Sequence, residues 1–207
     1  MIGVRVTVPV ACFRKGLARE YLETEPIPPP STCYGFLLSL VGETDRERHV
    51  GVRVCPQLLR SEGPSVILRT VWRVKNKPLG SPGNERPDYQ QLLTGTECVI
   101  WLDSSQEDGE GATLESRVRD ALDDPQSIAR FGGLSLGEST HLVDEVSLLP
   151  DDANAEGQAY LVAEDGSLTL PVWIDHVGSE GTRYVTGDLV ENATAPPLDR
   201  MPVIAMD

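Results

Sequence analysis

Arg130-Phe-Gly-Gly-Leu-Ser-Leu-Gly-Glu-Ser-Thr-His141 lies between an expected helix and an expected strand, and two incompatible folds hang on how it is read. As backbone geometry, Gly132, Gly133 and Gly137 permit φ > 0 and close approach of the main chain, so bare N–H groups can face a phosphate or a base edge. As a pattern, Gly133-Leu-Ser135-Leu-Gly137 matches G-x-S-x-G, the nucleophile elbow of α/β-hydrolases, with Ser135 as the attacking residue. The elbow requires a strand before the serine and a helix straight after it. Here Asp123-Asp-Pro-Gln-Ser-Ile128 reads as a helix end and turn, and Thr140 to Val143 reads as β. A triad of Ser135, then Asp165 or Asp175, then His176 can be written down, but Asp175 and His176 are adjacent and would point to opposite faces of a strand. Serine hydrolysis is therefore the weaker alternative.

Toward the N-terminus, Val4, Val6, Val8 and Val10 alternate with Arg5, Thr7 and Pro9, so residues 2 to 12 read as a half-buried strand in which Pro9 implies a bulge or an unpaired side. A basic loop carrying Arg14, Lys15 and Arg19 comes next. Pro28-Pro-Pro30 then leads to Ser31 and Thr32, expected N-caps of a short buried helix from Tyr34 to Val41, closed by Gly42. Two strands are expected at 49–60 and 65–75, joined by the turn Ser61-Glu-Gly-Pro64. Alternation in the second puts Leu68, Thr70, Trp72 and Val74 on one side, and Arg69, Val71, Arg73 and Lys75 on the other, giving a cationic sheet face.

Residues 76 to 95 are too rich in Pro and Gly for a core element and read as a protruding loop or hairpin. A strong strand at 97–102, a helix at 113–122 and a strand at 140–149 complete the expected order. Trp72 and Trp101 alternate into strand interiors as core residues. The fold class expected is α+β: β-α-β-β-α-β with an insertion between the inner strands is the ferredoxin-like pattern that underlies the RNA-recognition fold. Residues 1–150 form this domain, with its insertion at 76–95. Residues 151–207, with short alternating strands near 159–163, 167–175 and 182–189, form a small all-β appendage.

A chain of 207 residues buries a real core without disulfides. Cys12, Cys33, Cys55 and Cys98 contain no C-x-x-C pair and sit in apolar segments, so neither a metal site nor a disulfide framework is expected, and no cofactor. No apolar run approaches the roughly 20 residues of a membrane span, so a cytoplasmic location without membrane association is expected. The net charge of −14 argues at first against a polyanionic partner, but it conceals a split. Residues 1–86 hold 13 of the 18 Lys and Arg against 8 acids, and residues 87–207 hold 5 against 24. Such asymmetry fits one nucleic-acid face and one face turned elsewhere.

An N-terminal strand, a basic loop, Pro-Pro-Pro-Ser-Thr ahead of Tyr34-Gly-Phe-Leu, and a late glycine loop before a strand together resemble the Cas-five family of the RAMP (repeat-associated mysterious protein) superfamily. The resemblance spans about residues 1 to 150 and is most specific at Pro28 to Leu38, Arg86 to Leu102 and Gly132 to His141. It implies a non-catalytic subunit of a type I CRISPR surveillance complex that binds the 5′ tag of the guide RNA. Its implied neighbours are the backbone subunit and the large subunit that reads the protospacer-adjacent motif, with target DNA met only through the complex. The 76–95 insertion would be the thumb over the guide, and the strongly acidic second half departs from the family's pattern.

Candidate phosphate contacts are Arg14, Lys15, Arg19, Arg69, Arg73, Lys75, Lys77 and Arg86, because long cationic side chains neutralise single-strand phosphates. Ser31, Thr32 and Tyr34 stand where a helix N-terminus meets the basic loop, and Gly132, Gly133, Ser135, Gly137, Ser139 and His141 line the glycine loop. Some relatives in this family cut the repeat RNA themselves, which needs a general acid or base. Of His49, His141 and His176, only His141 is placed for it, and a metal-independent ribonuclease is the second alternative.

Overall fold

The computed structural model describes residues 1–16, 21–72, 78, 80–109, 111–150, 153–177 and 179–206. The valine alternation forms β1 (Ile2–Ala11), in which Val4, Val6 and Val8 are buried. The other strands are β2 (Tyr21–Leu22), β3 (Arg53–Arg60), β4 (Ser65–Trp72), β5 (Glu85–Asp103), β6 (Glu145–Leu148), β7 (Gly157–Val162), β8 (Leu168–Trp173) and β9 (Arg183–Asn192), with helices α1 (Pro30–Leu40) and α2 (Leu114–Asp123). The main sheet runs β6-β1-β5-β3-β7-β9-β8, every neighbouring pair antiparallel. The architecture is thus mixed α and β, with the C-terminal strands continuing the sheet from β3.

Pairing of β1 with β5 skips Pro9 between Val8↔Thr96 and Val10↔Thr94, where Gly95 takes φ +58. Proline has no donor for the ladder, so the strand breaks step there: Val10 turns to solvent and Ala11 inward. Cys98, Ile100 and Leu102 of β5 face the helices, packing with residues of α1 and with Leu114, Val118 and Ala121 of α2. Val99 and Trp101 face the other way onto Cys55, Ala159, Leu161 and Met201. Burial on both faces is why 98–102 is apolar without alternation. Gln57, fully buried, accepts from Trp101 Nε1 (2.6 Å) and donates to the carbonyls of Ala155 and Asn192, so β3, β5 and the C-terminal strands share one saturated polar joint.

The helices follow from their ends. Thr113 caps α2, its hydroxyl accepting from the Ser116 N–H at 3.2 Å. The expected caps of α1 are corrected: Pro29 is the N-cap and Pro30 occupies the first turn, where its missing N–H is no loss, so Ser31 and Thr32 lie inside the helix. Past α1, Gly42 takes φ +67, and a Cβ there would collide with the Ala129 carbonyl.

Glu43, next in the chain, accepts from the N–H groups of Thr44 and Asp45 and from Arg48 and Arg117. The Asp45 N–H and then the Arg117 guanidinium hold its pKa at about 2, below an ordinary 4.5. A lowered carboxylate pKa stabilises the fold above about 4.5, and that contribution is lost as pH falls from there through about 2. Melting temperature followed against pH should fall across this window in the native protein, and Glu43→Gln should flatten the fall; an unchanged acid limb would show that the carboxylate is not coupled to folding.

The expected strand at 65–75 takes a different place. β4 pairs only with the first half of β5, Ser65↔Leu92 to Trp72↔Glu85, forming a ribbon off the main sheet, with β2 on the far side of β5. Residues 85–95, expected within a protruding loop or hairpin, belong to β5, whose first half is the second strand of this ribbon. Of the cations on the expected face, only Arg69 lies among the described residues, and its side chain is partly buried. Gln90 and Asp88 on that face are buried, while Leu68, Tyr89 and Tyr21 line up across the three strands on the solvent side. The strand expected at 140–149 is reduced to β6. Among the described residues no helix is long and apolar enough to cross a membrane.

Candidate nucleic-acid interface

Three segments far apart in sequence meet at the open end of β1. The first is the basic loop, folded back on residues 23–25 by Phe13 N–H to Thr24 Oγ1 (2.9 Å), Lys15 N–H to Glu23 O (3.0 Å) and Glu25 N–H to Phe13 O (2.7 Å). Arg14 is exposed there, and the Lys15 ammonium stands 4.0 Å from Glu23. The second is the inner face of the ribbon, Arg69 and Gln90. The third is the glycine loop.

That loop is a tight hairpin. Val143 N–H donates to Leu134 O, Ser135 bridges Leu142, and Leu136 N–H donates to His141 O (3.2 Å). Leu136 is a fully buried plug in the core. Gly137 follows it at φ +100, and a Cβ there would stand 2.7 Å from the Cys12 carbonyl oxygen, so this glycine lets the loop lie flat on the end of β1. Gly133 lies against Leu142, whereas Gly132, at φ +78, has open space around it. Ser135 is half-buried and Ser139 exposed. The strand-serine-helix arrangement of a nucleophile elbow is not formed, since Ser135 enters a hairpin with no helix after it.

Electrostatics tie the three segments together. Glu138 pairs with Arg69 at 3.5 Å and accepts from Gln90 Nε2 at 3.0 Å. The His141 Nδ1 accepts from the Cys12 N–H at 3.2 Å, which puts its proton on Nε2. Burial lowers the His141 pKa, with Glu138 raising and Arg69 lowering it by smaller amounts, so the imidazole is neutral at neutral pH. The arrangement thus presents Arg14, Lys15, Ser139 and the His141 edge on a rigid base whose own arginine is already matched to a carboxylate.

The other expected residues lie elsewhere. Tyr34 is in the core, its hydroxyl donating to Arg46 O (2.7 Å) and its ring 6.5 Å from Trp173. Ser31 and Thr32 are half-buried on α1, Ser31 Oγ having no hydrogen-bond partner among the described residues. Arg86 pairs with Asp88 at 3.0 Å on the ribbon. Arg19, Arg73, Lys75 and Lys77 lie outside the described residues, as does the side chain of Trp72. Sequence reading misses Glu138, Gln90 and Thr24, whose roles exist only through partners distant in the chain. Among the described residues no group of three or more His, Cys, Asp or Glu is placed to hold a metal ion, and the four cysteines are buried free thiols.

The chain is similar to a CRISPR-associated protein in sequence and to solved structures in fold. A protein described as CRISPR-associated protein Cas5, from Myxococcus xanthus, is 52% identical over 209 residues, spanning 100% of this chain and 98% of that protein. A solved structure titled "CRISPR RNA-guided surveillance complex" contains a chain that superposes with a TM-score of 0.61 at 14% identity, covering 96% of this chain and 95% of that one. Another, titled "Crystal structure of Cas protein", gives a TM-score of 0.50 at 17% identity, covering 98% and 97%. No family model matches the chain.

Proposed function

The chain belongs to the Cas5 family of CRISPR-associated proteins, and from that premise we propose that it is a non-catalytic subunit of a type I RNA-guided surveillance complex that holds the 5′ tag of the guide RNA. Residues 1–150 are the RNA-binding part, and the strand order β6-β1-β5-β3 supports a ferredoxin-like reading of it. The ribbon of β4 and the first half of β5 serves as the thumb. Residues 151–207 brace the opposite edge of the sheet. The backbone subunit and the large subunit are its neighbours, and target DNA is selected by guide base pairing.

The observation that carries the RNA reading is the convergence of the basic loop, the ribbon base and the glycine hairpin on one rim. Arg14 and Lys15 meet phosphates there, while Arg69 holds the rim together through Glu138. Sequence-tolerant recognition of a short single strand needs such cations beside fixed backbone and ring donors.

The test is co-expression of the chain with its partner subunits and a guide RNA, followed by measurement of tag-RNA retention against salt. Arg14→Glu with Lys15→Glu is expected to lower retention by about tenfold or more, and to reduce the salt slope by roughly 1.4, at about 0.7 for each phosphate no longer neutralised. Retention and slope equal to those of the native chain would place the RNA elsewhere.

A further inference from the structure

On the helix side of the sheet, a groove of about 360 Å³ opens between α1, the segment Ala129–Phe131 and the loop after β8. Its floor is Leu38 and the backbone at Gly35. Two apolar side chains stand beside it entirely in solvent: Phe131 at 104% and Val177, next to the groove residue His176, at 100%. Phe131 sits between Ile128 and Leu134, both packed on the core, and the neighbouring Ala129 carbonyl lies close against Gly42. Val177 is held by its N–H bond to Asp175 Oδ1 at 2.9 Å.

Gly35 adds an independent point. Glycine in a helix interior costs about 1 kcal/mol relative to alanine and is kept where a neighbour needs the room. A Cβ at Gly35 would meet nothing within 4 Å, so no neighbour among the described residues requires it. That leaves room for an occupant against the α1 backbone.

Charge narrows the occupant. Arg130 has no carboxylate partner among the described residues. Arg46 lies 4.5 Å over the Trp173 ring and donates to Ile174 O, leaving further N–H donors. The groove's own acid, Glu43, is matched by Arg48 and Arg117, and the Asp45 carboxylate is turned to the Glu47 N–H. One added carboxylate is accommodated here, whereas a run of phosphates would meet Glu43 and Asp45 beside it. Exposed aromatic and arginine side chains around an apolar floor are the composition of a protein interface core.

The geometry points to a protein-docking groove that takes an apolar side chain of another subunit against Gly35 and Phe131, with an adjacent aspartate or glutamate of that subunit on Arg130. This rests on the reading of the chain as a subunit of an assembly, but not on where the RNA runs.

The test uses the co-expressed assembly with photoreactive benzoylphenylalanine in place of Phe131, irradiated and read by mass spectrometry of the adducts. The expected product is a peptide of another protein subunit in which an apolar residue neighbours Asp or Glu. Gly35→Leu, which fills the groove with a good helix former, and Arg130→Glu should each reduce that adduct by about tenfold or more, while the melting temperature of the chain holds or rises. Restoring the adduct in Arg130→Glu by Asp or Glu→Lys in the captured peptide would establish the ion pair. An adduct on RNA, an adduct confined to this chain, or no protein adduct overturns the groove. A protein adduct in an assembly without guide RNA supports the groove and counts against the RNA reading; retained RNA without a protein adduct does the reverse.

Discussion

Glu107→Ala is expected to lower the unfolding free energy by about 3–5 kcal/mol, because it leaves two buried N–H donors without an acceptor. His49 is 1% exposed. Its Nε2 faces Arg117 Nη1 at 2.6 Å, and a guanidinium can only donate, so Nε2 accepts and the ring proton sits on Nδ1, which donates to Glu107 Oε1. The other carboxylate oxygen of Glu107 accepts the Leu114 N–H at 2.9 Å, one of the unpaired donors at the start of α2. Arg117 continues the chain of bonds to Glu43 Oε2 (2.6 Å) and Val41 O (3.4 Å). Deleting the carboxylate strands the His49 ring N–H and the Leu114 helix N–H. Urea midpoints at neutral pH measure the loss. Glu107→Gln, which keeps an acceptor, should recover roughly half of it. A loss under about 1 kcal/mol for the alanine variant would mean that water replaces the carboxylate and that the joint is not structural.

A comparable loss is expected at Gly137, about 2–4 kcal/mol for Gly137→Ala, combining left-handed strain with a Cβ driven to 2.7 Å from the Cys12 carbonyl oxygen. Neither group can retreat cheaply. Cys12 is the last link between β1 and the loop, holding His141 through its N–H, and Leu136 beside the glycine is locked in the core. Gly132→Ala is the control: also a positive φ, at +78, but with nothing within 4 Å, for a cost of about 1 kcal/mol. Thermal melting of the two variants separates a glycine required by packing from one required only by conformation. Equal losses would show that the loop lifts from β1 without penalty, and the interface would then lack its fixed base.

For the glycines of this loop, the sequence reveals the conformation but not its use. It suggests three residues baring N–H groups to a ligand, yet Gly137 is spent on contact with β1 and Gly133 on contact with Leu142. The alternation in 65–72 likewise separates two opposed faces, with Leu68 on one and Arg69 on the other. Which side chains are covered is not set by the alternation, because a period of two is the same pattern whichever side meets water. Glu138, far along the chain, pulls Arg69 inward and leaves Leu68, Tyr89 and Tyr21 outside. Tyr34 belongs to the same class, taken into the core by Trp173 and by a carbonyl at Arg46.

What covalent geometry and near neighbours control is already present in the linear chain. The buried valines of β1, the apolar run 98–102, the cap at Thr113 and the left-handed glycines each follow from one residue type acting within a few positions. Folding was needed to settle which charges are neutralised, which face of the ribbon meets solvent, and that Phe131, Arg130 and Gly35 border one groove. Those outcomes turn on pairings between residues dozens of positions apart. Charge and exposure are set by whatever side chain arrives opposite, and only the folded sheet brings it there.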